Sequence, residues 1–302
     1  MNKAPRFPIL LLALTTLFAG SLSAKAALIL YSGGTTDAEL VAFDANDFSL
    51  LSGQVRENLS FGQDFTIDET GRLFGISSGN LVEYDTVSLQ PLRSQSLGGG
   101  LHGLAASDGF IYLYSGGSSL VNLVKIDAHS FQIVSGTLHG SISPGQDLAF
   151  DETGRLFGIA GGHFYEYNPD TLTIIRSTRI EGGVNGLAAG NGVLYTYSGT
   201  GQTANLLAFD ANTFELLSGN LEGGVTAPMD LAFGELDRLY GILSGTLFEY
   251  DPVTLEILNS AAVGGGVNGL AVIPEPSATA LFIMAGLGWL LAKRQGLRRR
   301  WR

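Results

Sequence analysis

From residue 27 to residue 273 the apolar residues come in short runs, each closed by glycine or by a cluster of Asp, Asn, Ser and Thr. Between residues 64 and 97 the runs read DFTID, RLFGIS, NLVEYD and LQPLRSQSL, separated by ETG, SG and TVS, and the corresponding segments recur at 147–180 and 230–263. Short runs rich in Leu, Phe, Tyr and Ile and bounded by turn residues are strand signals. Four such antiparallel strands in roughly 40 residues predict one propeller blade, whereas the rungs of a β-helix would be shorter.

Sliding the chain against itself by 83 residues aligns it without a gap. Tyr31-Ser32-Gly33, Tyr114-Ser115-Gly116 and Tyr197-Ser198-Gly199 superimpose, as do Asp64, Asp147 and Asp230, and Gly75, Gly158 and Gly241. Within each copy lies a weaker half-repeat. Its clearest mark is a turn that opens six times on an Asx residue, at Asp44, Asp85, Asp127, Asn168, Asp210 and Asp251, and closes four residues later on Phe or Leu. An Asx side chain that accepts backbone N–H groups suits a tight link between strands, so these six residues are expected to be structural. The first copy opens at Leu28, on the second strand of a blade. The missing first strand is found at 266–272, where GVNGLAV matches GVNGL at 183–187 and GLHGL at 100–104. The pattern therefore predicts an all-β, six-bladed β-propeller over 27–273, closed by its last strand, which removes open sheet edges.

Composition agrees with this and narrows the chemistry. Glycine supplies 42 of 302 residues and cysteine none. Many tight turns are expected, and disulfides, thiolate metal sites and cysteine nucleophiles are excluded. Nine of the 17 basic residues lie outside 27–273, leaving eight against 27 of the 28 acids, a balance of −19 in the body of the chain. Such a surface repels nucleic acid and attracts cations, and it also serves plain solubility.

The ends read differently. Residues 1–26 combine Lys3 and Arg6, an apolar run from Ile9 to Ala19 and the small-residue pattern Ala24-Lys25-Ala26, the arrangement of a secretory signal peptide cleaved after Ala26. Residues 274–302 open on Pro274-Glu275-Pro276, continue as an apolar stretch at 278–292 and finish in a basic cluster that includes Arg298, Arg299 and Arg300. The apolar stretch is short for a membrane span unless flanking residues extend it, and the charges beyond it favour the cytoplasmic side. Motif, spacing and order resemble the PEP-CTERM sorting tail of Gram-negative bacteria. That resemblance implies processing by an exosortase near Pro274–Pro276, a precursor held transiently in the inner membrane by its C-terminal helix, and a product in the envelope or extracellular matrix. Such proteins are associated with exopolysaccharide and biofilm.

Inside the propeller the first residues of the innermost strands form one candidate constellation. Around the ring the position reads Asp64, His102, Asp147, Asn185, Asp230 and Asn268. Three carboxylates spaced by two blades suit a hard cation such as calcium, with Asn and His completing the shell. Equally, each side chain can satisfy the backbone of the neighbouring blade. Lactonases similar to gluconolactonase hold a cation in such a channel with a Glu, which this ring lacks, so that resemblance is one of fold alone. The pairs Asp68-Glu69 and Asp151-Glu152 in DETG are expected to be solvated turn acids, and His129, His139 and His163 are scattered. The polar loops at 32–39, 115–121 and 198–204 have the hydroxyls to contact sugars, and they equally suit plain connectors. Together these features predict a non-enzymatic binding or structural module, needing no cofactor, with extracellular polysaccharide as its partner; a metal-dependent lactonase or esterase is the alternative.

Overall fold

The computed structural model describes residues 26–33, 39–56, 64–98, 100–116, 122–139, 147–180, 183–199, 204–221, 229–234, 237–264 and 266–273. The expected signal segment, apart from Ala26, and the whole sorting tail with Pro274, Glu275, Pro276, Arg298, Arg299 and Arg300 lie outside them. So do most residues of the three polar loops.

Ala27–Ile273 is one compact unit of six four-stranded antiparallel sheets. The first chain segment supplies β1 (Ala27–Ser32), β2 (Glu39–Asp44) and β3 (Leu50–Ser52). Blade 2 is β4 (Asp64–Ile67), β5 (Leu73–Ser77), β6 (Asn80–Tyr84) and β7 (Pro91–Ser96). Blade 3 is β8 (Leu101–Ser107), β9 (Phe110–Ser115), β10 (Asn122–Asp127) and β11 (Ile133–Ser135). Blade 4 is β12 (Asp147–Phe150), β13 (Leu156–Ala160), β14 (His163–Tyr167) and β15 (Ile174–Arg179). Blade 5 is β16 (Val184–Gly190), β17 (Val193–Ser198), β18 (Asn205–Asp210) and β19 (Leu216–Ser218). Blade 6 is β20 (Met229–Phe233), β21 (Leu239–Leu243), β22 (Thr246–Tyr250) and β23 (Ile257–Ala262). The last strand, β24 (Val267–Ile273), pairs with β1 from Ala27↔Ile273 to Ser32↔Val267 and so completes blade 1. The innermost strands meet in the order β4, β8, β12, β16, β20, β24 and back to β4, a closed ring. The protein is a six-bladed β-propeller.

The six Asx turns form as expected. Asp127 Oδ1 accepts the N–H groups of His129 and Ser130, and Asp210 Oδ1 those of Asn212 and Thr213. Each turn ends on a residue in the left-handed region: Phe48, Leu89, Phe131, Leu172, Phe214 and Leu255 all have φ between 57° and 62°. A large residue tolerates this backbone because its side chain is driven inward; Phe131 is 2% exposed.

Two kinds of blade contact alternate around the ring, which explains why the repeat spans two blades. From even to odd blades an arginine reaches across. Arg176 on β15 pairs with Glu166, donates to the carbonyls of Ala211 and Asn212 in blade 5, and lies 4.0 Å over the Phe214 ring. Arg93 and Arg238 reach the corresponding turn carbonyls of blades 3 and 1. From odd to even blades the link is a tyrosine pair: Tyr31 with Tyr84, Tyr114 with Tyr167 and Tyr197 with Tyr250, each 2.9 Å between hydroxyls. Arg176→Ala should lower stability by about 2 kcal/mol in urea unfolding, and Arg176→Lys should recover little of it, because an ammonium cannot serve two carbonyls, a carboxylate and a ring face at once.

Candidate functional site

Asp64, Asp147 and Asp230 start β4, β12 and β20, except that Met229 precedes Asp230, and they are 5%, 6% and 6% exposed. Each Oδ1 accepts the N–H of the next residue, at 2.7 Å from Phe65 and Leu148 and 2.8 Å from Leu231. The second oxygen reaches into the following blade. Asp147 Oδ2 accepts Leu187 N–H at 2.6 Å and Asp230 Oδ2 accepts Leu270 N–H at 2.7 Å. Asp64 faces Leu104 in the same way, and that N–H favours its charge, although Asp64 Oδ2 is buried with no donor in hydrogen-bond geometry. A carboxylate on one innermost strand thus satisfies the unpaired edge of the next, as buried backbone requires.

The intervening contacts are made by glycine. Gly103, Gly186 and Gly269 have φ of 62°, 70° and 67°. The pairing of β8 with β9 and of β16 with β17 shifts at Gly103 and Gly186. A Cβ on Gly103 would meet Asp147 Cα at 2.8 Å, one on Gly186 would meet Asp230 Cα at 3.0 Å, and one on Gly269 would meet Asp64 Cα at 3.1 Å. Acids, two of them bonded to the next blade, and glycine contacts therefore alternate in a girdle around the axis.

The other three predicted ring residues stand one step before these glycines. In strand register His102, opposite Tyr114, matches Asp64, opposite Ile76. Asn185 is buried and its Oδ1 accepts Gly186 N–H; His102, whose Nδ1 accepts Gly103 N–H, and Asn268 are half-buried. In strand register the six residues stand at one level, yet they are not equivalent: Asp147 and Asp230 bond the next blade, and His102 and Asn185 bond their own bulges. Among the described residues no group of three His, Asp or Glu is arranged to hold a metal ion.

The electrostatics of the trio are unusual. Burial pushes the Asp64 and Asp147 carboxyls well above the ordinary range, the charges of Asp147 and Asp230 adding to the shift of Asp64 and that of Asp230 to the shift of Asp147. Burial also pushes Asp230 up to about 7, against the opposing pull of N–H bonds from Leu231 and Leu270 and of hydrogen bonds from the Asp64 and Asp147 carboxyls. Charge on one of these acids therefore opposes charge on its neighbours. Beyond them the innermost strands enclose a channel of about 180 Å³, lined by residues such as Phe65, Leu104, Leu148, Ala189, Phe233 and Val272.

The other sequence candidates are structural. Asp68 and Asp151 close their turns but are 6% exposed rather than solvated, because Arg72 and Arg155 clamp them at 2.8 Å and Thr70 and Thr153 donate to them. Glu69 and Glu152 are the exposed members of each pair. The His129 backbone sits in an Asx turn, that of His139 bonds Ser115 Oγ, and the His163 ring bonds Gly161. The bulge glycines were the part of the girdle missed by residue type; their recurrence at 83-residue spacing was the available signal.

No family model and no curated protein matches the chain. Among solved structures it is similar to a protein of unknown function from Bacteroides caccae, 13% identical with a TM-score of 0.55 over 83% of this chain and 99% of that one. A second similar structure is Myxococcus xanthus glutaminyl cyclase, 17% identical with a TM-score of 0.47 over 70% of this chain and 90% of that one. At such identities the first likeness is one of fold.

Proposed function

We propose that this chain is an exported, non-enzymatic binding or structural propeller, delivered by an exosortase-type tail to the cell envelope or extracellular matrix, where it contacts polysaccharide. The observation that carries the reading is a junction. The strand that closes the ring ends at Ile273, and Pro274-Glu275-Pro276 follows at once, with the apolar stretch and the arginines behind it. A processing enzyme can act there without removing any residue of the fold. The non-enzymatic part rests on the girdle, in which both oxygens of Asp147 and of Asp230, and one oxygen of Asp64, accept backbone N–H groups.

Mass spectrometry of exported material is expected to find a C-terminus near Pro274–Pro276; an intact Arg302 in that material would overturn the sorting reading. Residues 27–273 are expected to bind extracellular glycan and to show no turnover on a lactone and ester panel. Turnover lost on Asp64→Ala or Asp230→Ala would favour a hydrolase instead.

A further inference from the structure

Every blade begins its outermost strand, directly after the Asx turn, with two successive apolar residues. From blade 1 to blade 6 the pairs read LL, PL, IV, II, LL and IL, starting at residues 50, 91, 133, 174, 216 and 257. Pro91 is exposed and the others are 42% to 61% exposed. Strand alternation would turn only one of two neighbours outward. A β-bulge prevents that, because in all six blades the pairing with the third strand shifts between the members of the pair. In blade 4, Ile174 faces Tyr167 and Arg176 faces Glu166, which leaves Ile175 as the extra residue. The identity of the pair changes from copy to copy while its apolar class does not, and the exposed positions that follow in the long edges, Ser94, Ser177 and Ser260, are polar. Single exposed apolar residues need no explanation, but the same pair at six equivalent places on the perimeter does.

We propose that this belt is a lateral docking surface for further copies of the same chain, through which propellers pack edge to edge into an extended layer.

Charge selects the partner. The six outermost strands contain no Asp, Glu or Lys, in a body that carries −19. Two such bodies repel over most of their surface and least where belt meets belt. Of the arginines in these strands, Arg93 and Arg176 are turned to the next blade of their own chain. The bulges also interrupt the edge ladder, so copies meet through side chains and not by adding a strand. Area selects the mode. Two half-exposed apolar side chains from each copy bury on the order of a few hundred Å², below the roughly 1,000 Å² of a stable pair. One contact therefore does not hold a dimer, whereas a ring with a site on every blade gains by binding several neighbours at once. Glu215 and Glu256 directly precede the pairs of blades 5 and 6, while Ser49, Gln90, Gln132 and Thr173 precede the others. Blades 1 to 4 are thus the stronger edges, and salt that screens the acids favours the layer. Edge packing involves neither the tail nor glycan, so it stands or falls apart from the sorting and polysaccharide readings.

Sedimentation of residues 27–273, the compact unit that holds every strand, tests this. The chain is expected to be monomeric near about 1 μM and to associate toward about 1 mM without saturating at a dimer, more so in high salt. Leu51→Ser, Leu92→Ser, Val134→Ser and Ile175→Ser together are expected to weaken association at least about tenfold. Because the chain has no cysteine, a solvent-sensitive dye can be placed at one position. On Ile175→Cys it is expected to report burial as the chain associates, and on Glu69→Cys, in the turn between β4 and β5 near the axis, to report none. A chain that stays monomeric to about 1 mM at low and high salt would overturn the proposal. So would undiminished association of the fourfold variant, or burial of the label at position 69 in place of that at 175. If the fourfold variant does not fold, the two labels decide.

Discussion

Removing residues 267–302 should abolish cooperative unfolding of the propeller, whereas removing 274–302 should leave the transition in place. The two chains differ only by β24, seven residues long. Its loss uncovers the length of β1, and it takes from the interior Val267, Leu270 and Ala271, which are 0%, 3% and 4% exposed. Burial of side chains of this size contributes about 1.5–3 kcal/mol each for the larger two, and the exposed ladder of β1 adds to the loss. The Asp230 carboxyl also loses Leu270 N–H, and the cover over Asp64 disappears with Gly269. Set against a net folding free energy of about 5–15 kcal/mol, these losses are enough to unfold a ring whose six sheets support one another in sequence. Thermal melting followed by circular dichroism reads the result directly. A chain ending at Gly266 that melts as sharply and as high as one ending at Ile273 would show that closure is dispensable.

That closing strand was legible in the sequence, and the reason is physical. A repeat carries its strand pattern in each copy, so an incomplete first blade and a surplus last strand could be matched by subtraction. Blade number and the six Asx turns followed for the same reason, since they depend on residues close together in the chain. The linkages between blades did not. The hydroxyls of Tyr114 and Tyr167 meet across 53 positions, and Arg176 finds its carbonyls 35 and 36 positions away. In sequence these appear only as residues that recur, without a reason for recurring. Asp68 and Asp151 illustrate the converse error. An acid beside Glu, Thr and Gly has the composition of a solvated turn, and only the fold brings the arginine four residues on back over it to exclude water. The trio at the axis was found by alignment, but the direction of each carboxyl was not, because it is set by a bulge on the neighbouring strand.

Gly158→Ala is the single substitution that should reveal most about those linkages. Gly158 lies on β13 in blade 4, under Tyr114 of blade 3, and the Cβ of an alanine would overlap the Tyr114 hydroxyl while lying 2.9 Å from Leu148 Cδ2 and 3.0 Å from Tyr114 Cζ. Gly75 lies under Tyr31 and Gly241 under Tyr197 in the same way, so the glycine recurs because a tyrosine of the preceding blade needs its space. Tyr114 is fully buried, and its hydroxyl cannot move aside without giving up Tyr167. A clash of this kind in a close-packed core costs about 3 kcal/mol or more. Tyr114→Phe alone should cost about 1–2 kcal/mol, since it leaves the Tyr167 hydroxyl without its partner. In the double variant the two costs should not add. Removing the hydroxyl removes the worst overlap, though the ring carbon and Leu148 remain close, so the pair should be less damaging than the sum by about 1–2 kcal/mol. Urea unfolding of the four chains gives the cycle. Simple additivity would mean that the glycine is required for some reason other than the tyrosine above it, and the two-blade repeat would then lack the steric basis assigned to it.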